Sequence, residues 1–586
     1  MRNLVFTLLV VSLLPLKAQQ PTAYEQTMAQ MGLAASDRDA SGEATITMEE
    51  PRLAYVNLSG LGNLPTSKWT EEECWLEFHG AGVYFRKRIT IKGQGGYTIR
   101  FPKKNFSFKL YEEDWRTTTD LVIGQWVEQD GFHLKAFWTD YFRGIGEIGY
   151  KVFEGVVADR RPYWEREDYM QASLARCFPD GFPCILYVNG DFYGVYAWQL
   201  KKHRKNMNQK KYTTTHIHID GDLNNETLFR GKIKWTDFEV RNPQGLLVVN
   251  GAAYNGNRPS ELMGRNSSGY SLYMADEKEK ETRERTVLVK EAIQKLSGYH
   301  AEMETLEKQM NLGALRRRFE EQFDLESLLD YYVFNEFLWN GDGSLKNWQW
   351  FTYDGVKWMV APYDLDQTFG LGLYGVVRPA FLPQSDLTTG PFYWLFKYYQ
   401  PEIGERYRVL RQNGALSEAR ILPIMQDWYD RIGEDWYARE MQAWPESPCY
   451  CEAICNRNWE VCEDWTLYAV VDNFSLSRQY TAGDVCRYEG RLWRATGSTK
   501  GVLPYILNAN VDSLERLLSW VGDRLAIMDE KYDYTTSAPQ IQSDNSTPFN
   551  KLEGIYSPSG IRLNAPTRGI NIYKFSDGTS RKVLVK

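Results

Sequence analysis

The 586 residues contain no apolar run long enough to cross a bilayer, which takes about 20 residues. The run that comes nearest, Leu4 to Leu14, follows Arg2 and precedes Ala18, and reads as a secretory leader over 1–18 with a cut ahead of Gln19. No cysteine stands at that cut to carry a lipid. The mature chain is therefore expected to be exported, as a secreted, periplasmic or cell-surface protein without a transmembrane segment. An excess of positive charge is also missing: 69 Lys and Arg against 76 Asp and Glu give a net charge of −7, which argues against nucleic acid as a partner. The chain has no G-x-S-x-G elbow and no H-E-x-x-H, so those hydrolase and protease routes lack support. It has no G-x4-G-K-[ST] phosphate loop and no repeat of fixed period. Glycoside hydrolysis by two carboxylates needs no local motif and stays open.

Hydrophobic residues make up 43% and charged residues 25%, as in ordinary globular chains. Aromatics are abundant at 14%, which suits both buried cores and sugar-stacking surfaces. Of the eight cysteines, Cys449, Cys451, Cys455 and Cys462 crowd together with Cys486 beyond, while Cys74, Cys177 and Cys184 are dispersed. The one-residue spacing of the first pair does not suit zinc, and in an oxidising compartment a disulfide knot is expected, with a local Cys177–Cys184 bridge.

Residues 19–50 read as a linker or loosely helical arm. From Pro51, short alternating segments predict strands, among them 53–58, 83–91 and 105–110. Within the last, Phe106, Phe108 and Leu110 share one face, leaving Ser107 and Lys109 on the other. A helix is expected over 142–157, then a hairpin turning on Asn189-Gly190. From 279 to 339 the chain reads mainly as helix; Asp324 is an N-cap and Leu325, Leu328, Leu329, Tyr332, Val333 and Phe337 keep a helical beat. His216 and His218 fall on one face of a strand, read as a partly exposed strand in preference to a metal site.

The stretch Asn340 to Gly370 carries the most chemistry. Strands 348–353 and 356–361 flank Asp354-Gly355, a two-residue hairpin turn, so paired positions sum to 709 and Asn347 faces Pro362. Asp364 and Asp366 then emerge beside Asn347, with Asp342 on the loop entering the same end. Three carboxylates and an amide oxygen suit Mg²⁺ or Mn²⁺ with phosphate oxygens completing the shell. The bland alternative is that these are turn formers, as Asn, Asp and Gly are in any loop.

The order Asp-x4-Asn, hairpin, metal-binding Asp is that of protein-kinase-like phosphotransferases. More closely, Asn340-x-Asp342-x4-Asn347 and Pro362-Tyr-Asp364-Leu-Asp366-Gln-Thr-Phe-Gly370 resemble the CotH kinase family, named for a spore-coat protein kinase. Lys92-Gly-Gln-Gly-Gly96, Pro102-Lys-Lys-Asn-Phe-Ser-Phe-Lys-Leu110, His133-Leu-Lys-Ala136, Val188-Asn-Gly-Asp-Phe-Tyr-Gly-Val-Tyr196 and Trp520-Val-Gly-Asp-Arg524 fit as well. The resemblance spans roughly 51–535 without the insert at 445–510. It implies an α+β, atypical protein-kinase-like bilobal fold, with a β-rich amino-terminal lobe and a helical carboxy-terminal lobe. It also implies ATP and Mg²⁺ or Mn²⁺ as cofactors, and a secreted or surface protein as phosphate acceptor. Asp342 would be catalytic; Asn347, Asp364 and Asp366 would hold the metal. Lys109, or alternatively Lys104, would contact phosphate, with Glu147 as its partner. Where many relatives carry a glutamate, this chain has Gln199. ATP is scarce outside cells, so a pseudokinase or another donor stays open.

The insert, from Tyr480 to Pro504, resembles a small carbohydrate-binding module, with Tyr488 and Trp493 as stacking candidates. It supports the alternative of an inactive surface or structural protein binding polysaccharide. The tail at 552–586 resembles carboxy-terminal sorting modules, and by itself reads as a β-hairpin set.

Overall fold

The computed structural model describes residues 20–33, 44–68, 70–96, 98–159, 175–211, 213–221, 226–231, 233, 238–242, 246–249, 271–274, 280–340, 343, 347–371, 380, 389–445, 459–475, 477–488, 491–500, 504, 514–535, 552–557, 562–563, 569–575 and 580–585. The expected leader therefore lies outside the described residues. Two compact units are present, 1–532 and 533–586.

The first unit opens with helix α1 (Ala23–Gln30), held by a capping box between Thr22 and Glu25. Strand β1 (Thr45–Met48) follows, so the expected linker contains two ordered elements. Strands β2 (Ala54–Ser59), β3 (Glu72–Gly80), β4 (Val83–Gln94) and β5 (Asn105–Tyr111) form an antiparallel run. After β6 (Asp120–Ile123), which pairs in parallel with β1, come β7 (Gly131–Lys135), β8 (Gly181–Val188) and β9 (Asp191–Leu200). The order β2-β3-β4-β5-β7-β9-β8 closes into a seven-stranded barrel, sealed by parallel pairing of β8 with β2. Closure leaves no free sheet edge.

Alternation in these strands puts one set of side chains inside. Phe106, Phe108 and Leu110 are buried in the barrel core, as their shared face predicts. Trp198 sits among Phe78, Phe108 and Phe132, with ring centroids 4.8–5.3 Å away. The β8–β9 hairpin turns on Asn189 and Gly190, both at positive φ, the conformation that Asn-Gly supplies.

Helix α2 (Ile145–Val157) leaves the barrel and buries almost its whole surface. Two small sheets follow: β10 (Ile217–Gly221) and β11 (Phe238–Asn242) belong to one, β12 (Leu246–Val249) and β13 (Ser271–Met274) form the other, and α3 (Glu226–Phe229) falls between β10 and β11. Helices α4 (Lys280–Lys308), α5 (Leu312–Gln322) and α6 (Leu325–Leu338) lead to the hairpin of β14 (Trp348–Thr352) and β15 (Trp358–Pro362), which extends the β10–β11 sheet. Asp324 caps α6 by accepting from the Ser327 N–H at 2.9 Å, and Trp339 ends it in the left-handed conformation. Then come α7 (Pro391–Tyr398), α8 (Gln400–Gln412), α9 (Glu418–Ile432) and α10 (Glu434–Ala443).

The insert builds its own small sheets from β16 (Trp459–Val461), β17 (Gln479–Tyr480), β18 (Val485–Tyr488), β19 (Arg491–Ala495) and β20 (Thr499–Lys500). Helix α11 (Leu514–Lys531) closes the first unit. The second unit is an antiparallel sheet, β21 (Leu552–Tyr556), β22 (Arg562–Leu563), β23 (Gly569–Phe575) and β24 (Ser580–Val585), in the order β22-β21-β23-β24.

Two expectations are corrected. None of Cys74, Cys177, Cys184, Cys462 and Cys486 is in a disulfide, so the Cys177–Cys184 bridge is not formed. Cys177 is held by its own backbone, whose N–H donates to Asn206 O at 2.6 Å, and Cys184 belongs to the β8 ladder. Cys449, Cys451 and Cys455 lie outside the described residues. His216 and His218 are buried, where a partly exposed strand was expected; burial lowers the His216 imidazole to about 4.

Candidate functional site

The hairpin does not turn on two residues. Its ladder runs from Trp348 opposite Pro362 to Thr352 opposite Trp358, so paired positions sum to 710. The turn spans five residues because the Asp354 carboxylate accepts from the N–H groups of Val356 and Lys357, at 2.7 and 2.8 Å, and from the Thr352 hydroxyl. The one-position slip puts Asn347 opposite Tyr363, whose N–H donates to Asn347 O at 3.2 Å.

Beyond β15 the chain bends sharply. Asn347 and Asp364 both adopt left-handed backbone, at φ 59° and 53°. Side-chain-to-backbone bonds hold that geometry: the Asp364 N–H donates to Tyr150 Oη at 2.9 Å, and Asn347 Nδ2 reaches Asp364 O at 3.5 Å. Tyr150 belongs to α2, where Gly149 admits the next residue of the bend; a Cβ there would stand 2.8 Å from Leu365 Cδ1. Further on, the Phe369 N–H donates to Leu338 O at 2.7 Å, tying the bend to the end of α6.

Lys135, the last residue of β7, reaches this bend. Its Nζ lies 3.2 Å from Asp364 Oδ1, with the lysine 5% and the aspartate 30% exposed. Burial alone would lower the ammonium, but Asp364, Tyr363 and Asp366 outweigh it and hold Lys135 above the usual lysine range. Lys135 and Asp366 line one cleft with Thr98, Phe101, Asn105 and Trp138. Asn105 braces that wall, donating to Thr98 Oγ1 at 3.2 Å and accepting from the Ala136 N–H at 2.7 Å.

The remaining expected residues fall elsewhere. Lys109 pairs with Asp130 at 3.1 Å on a partly exposed surface. Lys104 bonds Phe101 O, and burial holds it below the usual lysine range. Glu147 is fully buried on α2 and pairs with neither; Gln199 Nε2 donates to its Oε1 at 2.6 Å. Burial, reinforced by Asp180, pushes the Glu147 carboxyl up to about 8, so it is largely neutral at pH 7. Asp342 lies outside the described residues; its described neighbours are Asn340 and Gly343. Asn340 Nδ2 donates to Asn335 Oδ1 at 2.7 Å, and Tyr331 Oη donates to Gly343 O at 2.7 Å. Among the described residues no three His, Cys, Asp or Glu side chains form a metal-sized group, so a cation here would rest on Asn347, Asp364, Asp366 and oxygens from elsewhere.

A family model, CotH kinase protein, matches residues 89–465, more than half of the chain. The chain belongs to the CotH family. The match takes in β5, the Lys135 strand, α2, the hairpin and the Asp364 bend. A comparison with curated proteins returns no match. In this CotH chain His133-Leu-Lys-Ala136 fits the family in sequence, yet Lys135 was given no role there, because Lys109 and Lys104 were preferred for the phosphate. Its visible signal is a lysine ending an apolar strand.

The insert corrects another expectation. Trp493 is 4% exposed and packs with Trp459, Tyr480 and Cys486, while Tyr488 packs partly buried against the same cluster. Among the described residues, the aromatics of these short strands pack together as the core of the small sheet. Among the described residues of this CotH chain, no helix is long and apolar enough to cross a membrane.

Proposed function

We propose that this CotH-family chain is an exported kinase-like phosphotransferase, with the barrel as an amino-terminal lobe and the helices as a carboxy-terminal lobe. ATP with Mg²⁺ or Mn²⁺ enters the cleft at the barrel mouth, and the acceptor is a hydroxyl on a secreted or surface protein. The observation that carries this reading is the pair of buried Lys135 with the half-buried Asp364 beside Asp366.

The donor set fits the group. Asn347, Asp364 and Asp366 offer only oxygen ligands, which hard divalent cations prefer. When bound, the cation neutralises charge on the transferring phosphoryl group. Lys135 already stands at Asp364 with its positive charge held, so once that carboxylate is shared it can donate to a phosphate oxygen without crossing the cleft. Asn347 and Tyr150 fix the backbone of Asp364, so the carboxylate keeps its place without reorganisation. Asp342 takes the acceptor hydroxyl proton as the new P–O bond forms and the bond to the nucleotide breaks. A leader at 1–18 and a sorting-type tail at 552–586 carry the activity out of the cytoplasm.

Purified protein with labelled ATP and Mg²⁺ or Mn²⁺ is expected to label itself or a protein acceptor, with transfer lost in Asp342→Ala. Absence of both labelling and a nucleotide-dependent melting shift, with either metal, would overturn the proposal.

A further inference from the structure

Among the described residues that line the cleft, two carry a hydroxyl, Thr98 and Thr139. They are held very differently. Thr98 is half-buried and opens the 3-10 turn Thr98–Arg100, just after Gly95 and Gly96. Gly95, at φ 110°, lets the chain fold onto that hydroxyl, since a Cβ there would overlap Thr98 Oγ1. From the strand side, Thr98 Oγ1 accepts from Asn105 Nδ2 at 3.2 Å, and Asn105 Oδ1 accepts from the Ala136 N–H at 2.7 Å. The hydroxyl thus stands two hydrogen bonds from the residue that follows Lys135. The Ala136 N–H must meet an oxygen, so the Asn105 amide is not reversed and Thr98 is the acceptor in its bond. Its own hydrogen is donated to no described residue and is left for the cleft, which Lys135 and Asp366 also line. Thr139 makes no side-chain hydrogen bond to a described residue, so nothing comparable orients its hydroxyl.

We propose that Thr98 is an autophosphorylation site, modified inside its own cleft, and that the phosphate placed there closes the cleft to further nucleotide. The inference rests on the phosphotransfer reading. In the step, Thr98 Oγ1 bonds to the terminal phosphorus of ATP and the bond from that phosphorus to the nucleoside diphosphate breaks. The hydroxyl hydrogen passes to Asp342, as it would from an external acceptor, and ADP leaves. A hydroxyl fixed in the cleft wall meets the phosphorus without a second binding event, the advantage of an intramolecular reactant. The product is also stabilised where it forms. A phosphothreonine carries about −1.5 to −2 charge at pH 7. Lys135, whose ammonium is held charged, pairs with it through charge-assisted bonds. That occupies the cation which the terminal phosphate of the next nucleotide needs, and like charge repels the newcomer.

The full chain is incubated with ATP and Mg²⁺ or Mn²⁺, digested, and its phosphate mapped by mass spectrometry. The phosphate is expected on Thr98, at a first-order rate independent of protein concentration, absent from Thr98→Val and restored as phosphoserine in Thr98→Ser. The phosphorylated protein should then need about tenfold or more ATP for the same melting shift, while Thr98→Val treated alike keeps the shift it had before. Phosphate on Thr139 or elsewhere with Thr98 unmodified overturns the inference and leaves the phosphotransfer reading standing. Nucleotide binding without any labelling overturns it too, as does labelling of Thr98 in an Asp364→Ala chain by added parent protein, which would make the reaction intermolecular. Full modification with an undiminished melting shift overturns the closure. Absence of both labelling and a melting shift defeats the photransfer reading itself, and this inference with it.

Discussion

Lys135 and Lys109 lie on neighbouring strands of one barrel, yet their surroundings differ completely. Lys135 is almost wholly buried against Asp364, whereas Lys109 shares an exposed pair with Asp130 worth at most about 1 kcal/mol. Lys135→Met should therefore lower phosphoryl transfer by roughly 100-fold or more, as removal of a preorganised charge does, while Lys109→Met leaves it within about twofold. Matched labelling rates of the two variants decide this. Glu147 makes a second test. Its carboxyl titrates near 8 when folded and near its ordinary 4.5 when unfolded. Between those values the folded state holds the extra proton, so stability is fullest below about 4.5 and falls as pH rises towards 8, by up to about 1.4 kcal/mol per unit. Glu147→Gln should flatten that slope in melting curves taken from pH 5 to 8. The carboxylate bend was legible in the sequence because Asn, Asp and Gly spacing reports it. The contact of Lys135 with Asp364 was not, since it depends on which strand ends beside the bend, a fact of tertiary structure.

Helix α10 is held to the barrel by charge as well as packing. Glu440, 2% exposed, meets Lys103 Nζ at 2.6 Å and Arg143 Nε at 2.9 Å, and accepts from the Val195 N–H at 2.7 Å. Burial would raise its carboxyl, but the two cations outweigh that and keep it ionised. Burial lowers the Lys103 ammonium to about 7 even beside Glu440, so Glu440→Ala leaves Arg143 without its buried counter-ion and Lys103 neutral without its acceptor; it should cost about 3–5 kcal/mol, read as a lower denaturation midpoint with unchanged slope. The strands, the Asn189-Gly190 turn and the α6 cap were readable from alternation and turn chemistry. The hairpin register slipped by one because Asp354 reads equally well as a hairpin-turn residue and as the cap of a longer loop. The same ambiguity of short apolar runs concealed that Trp493 is core while Trp465 is surface.

At the scale of the first unit, its last helix completes the site. Arg524 Nε, from α11, donates to Glu336 O at 3.1 Å and its Nη1 to Ala380 O at 3.1 Å, while Trp520 packs 5.8 Å from Phe369 at the end of the Asp364 bend. Arg524→Ala should cost about 2–3 kcal/mol and weaken nucleotide-dependent melting shifts along with stability, because α6 and the bend lose one shared support. The stretch Trp520–Arg524 was visible as a family resemblance, but at more than 150 residues beyond Asp364 no local pattern says that it props the bend.

The parallel seam between Ala54 and Cys184 joins positions 130 apart in the chain. Until β8 has been made, the six other strands cannot become a cylinder, and two ladders of unpaired amides stay open to any passing strand. A nascent polypeptide of this sequence thus has a long vulnerable interval, ending only when the β8–β9 hairpin arrives, during which a holding chaperone or slow release would decide whether it matures or clumps.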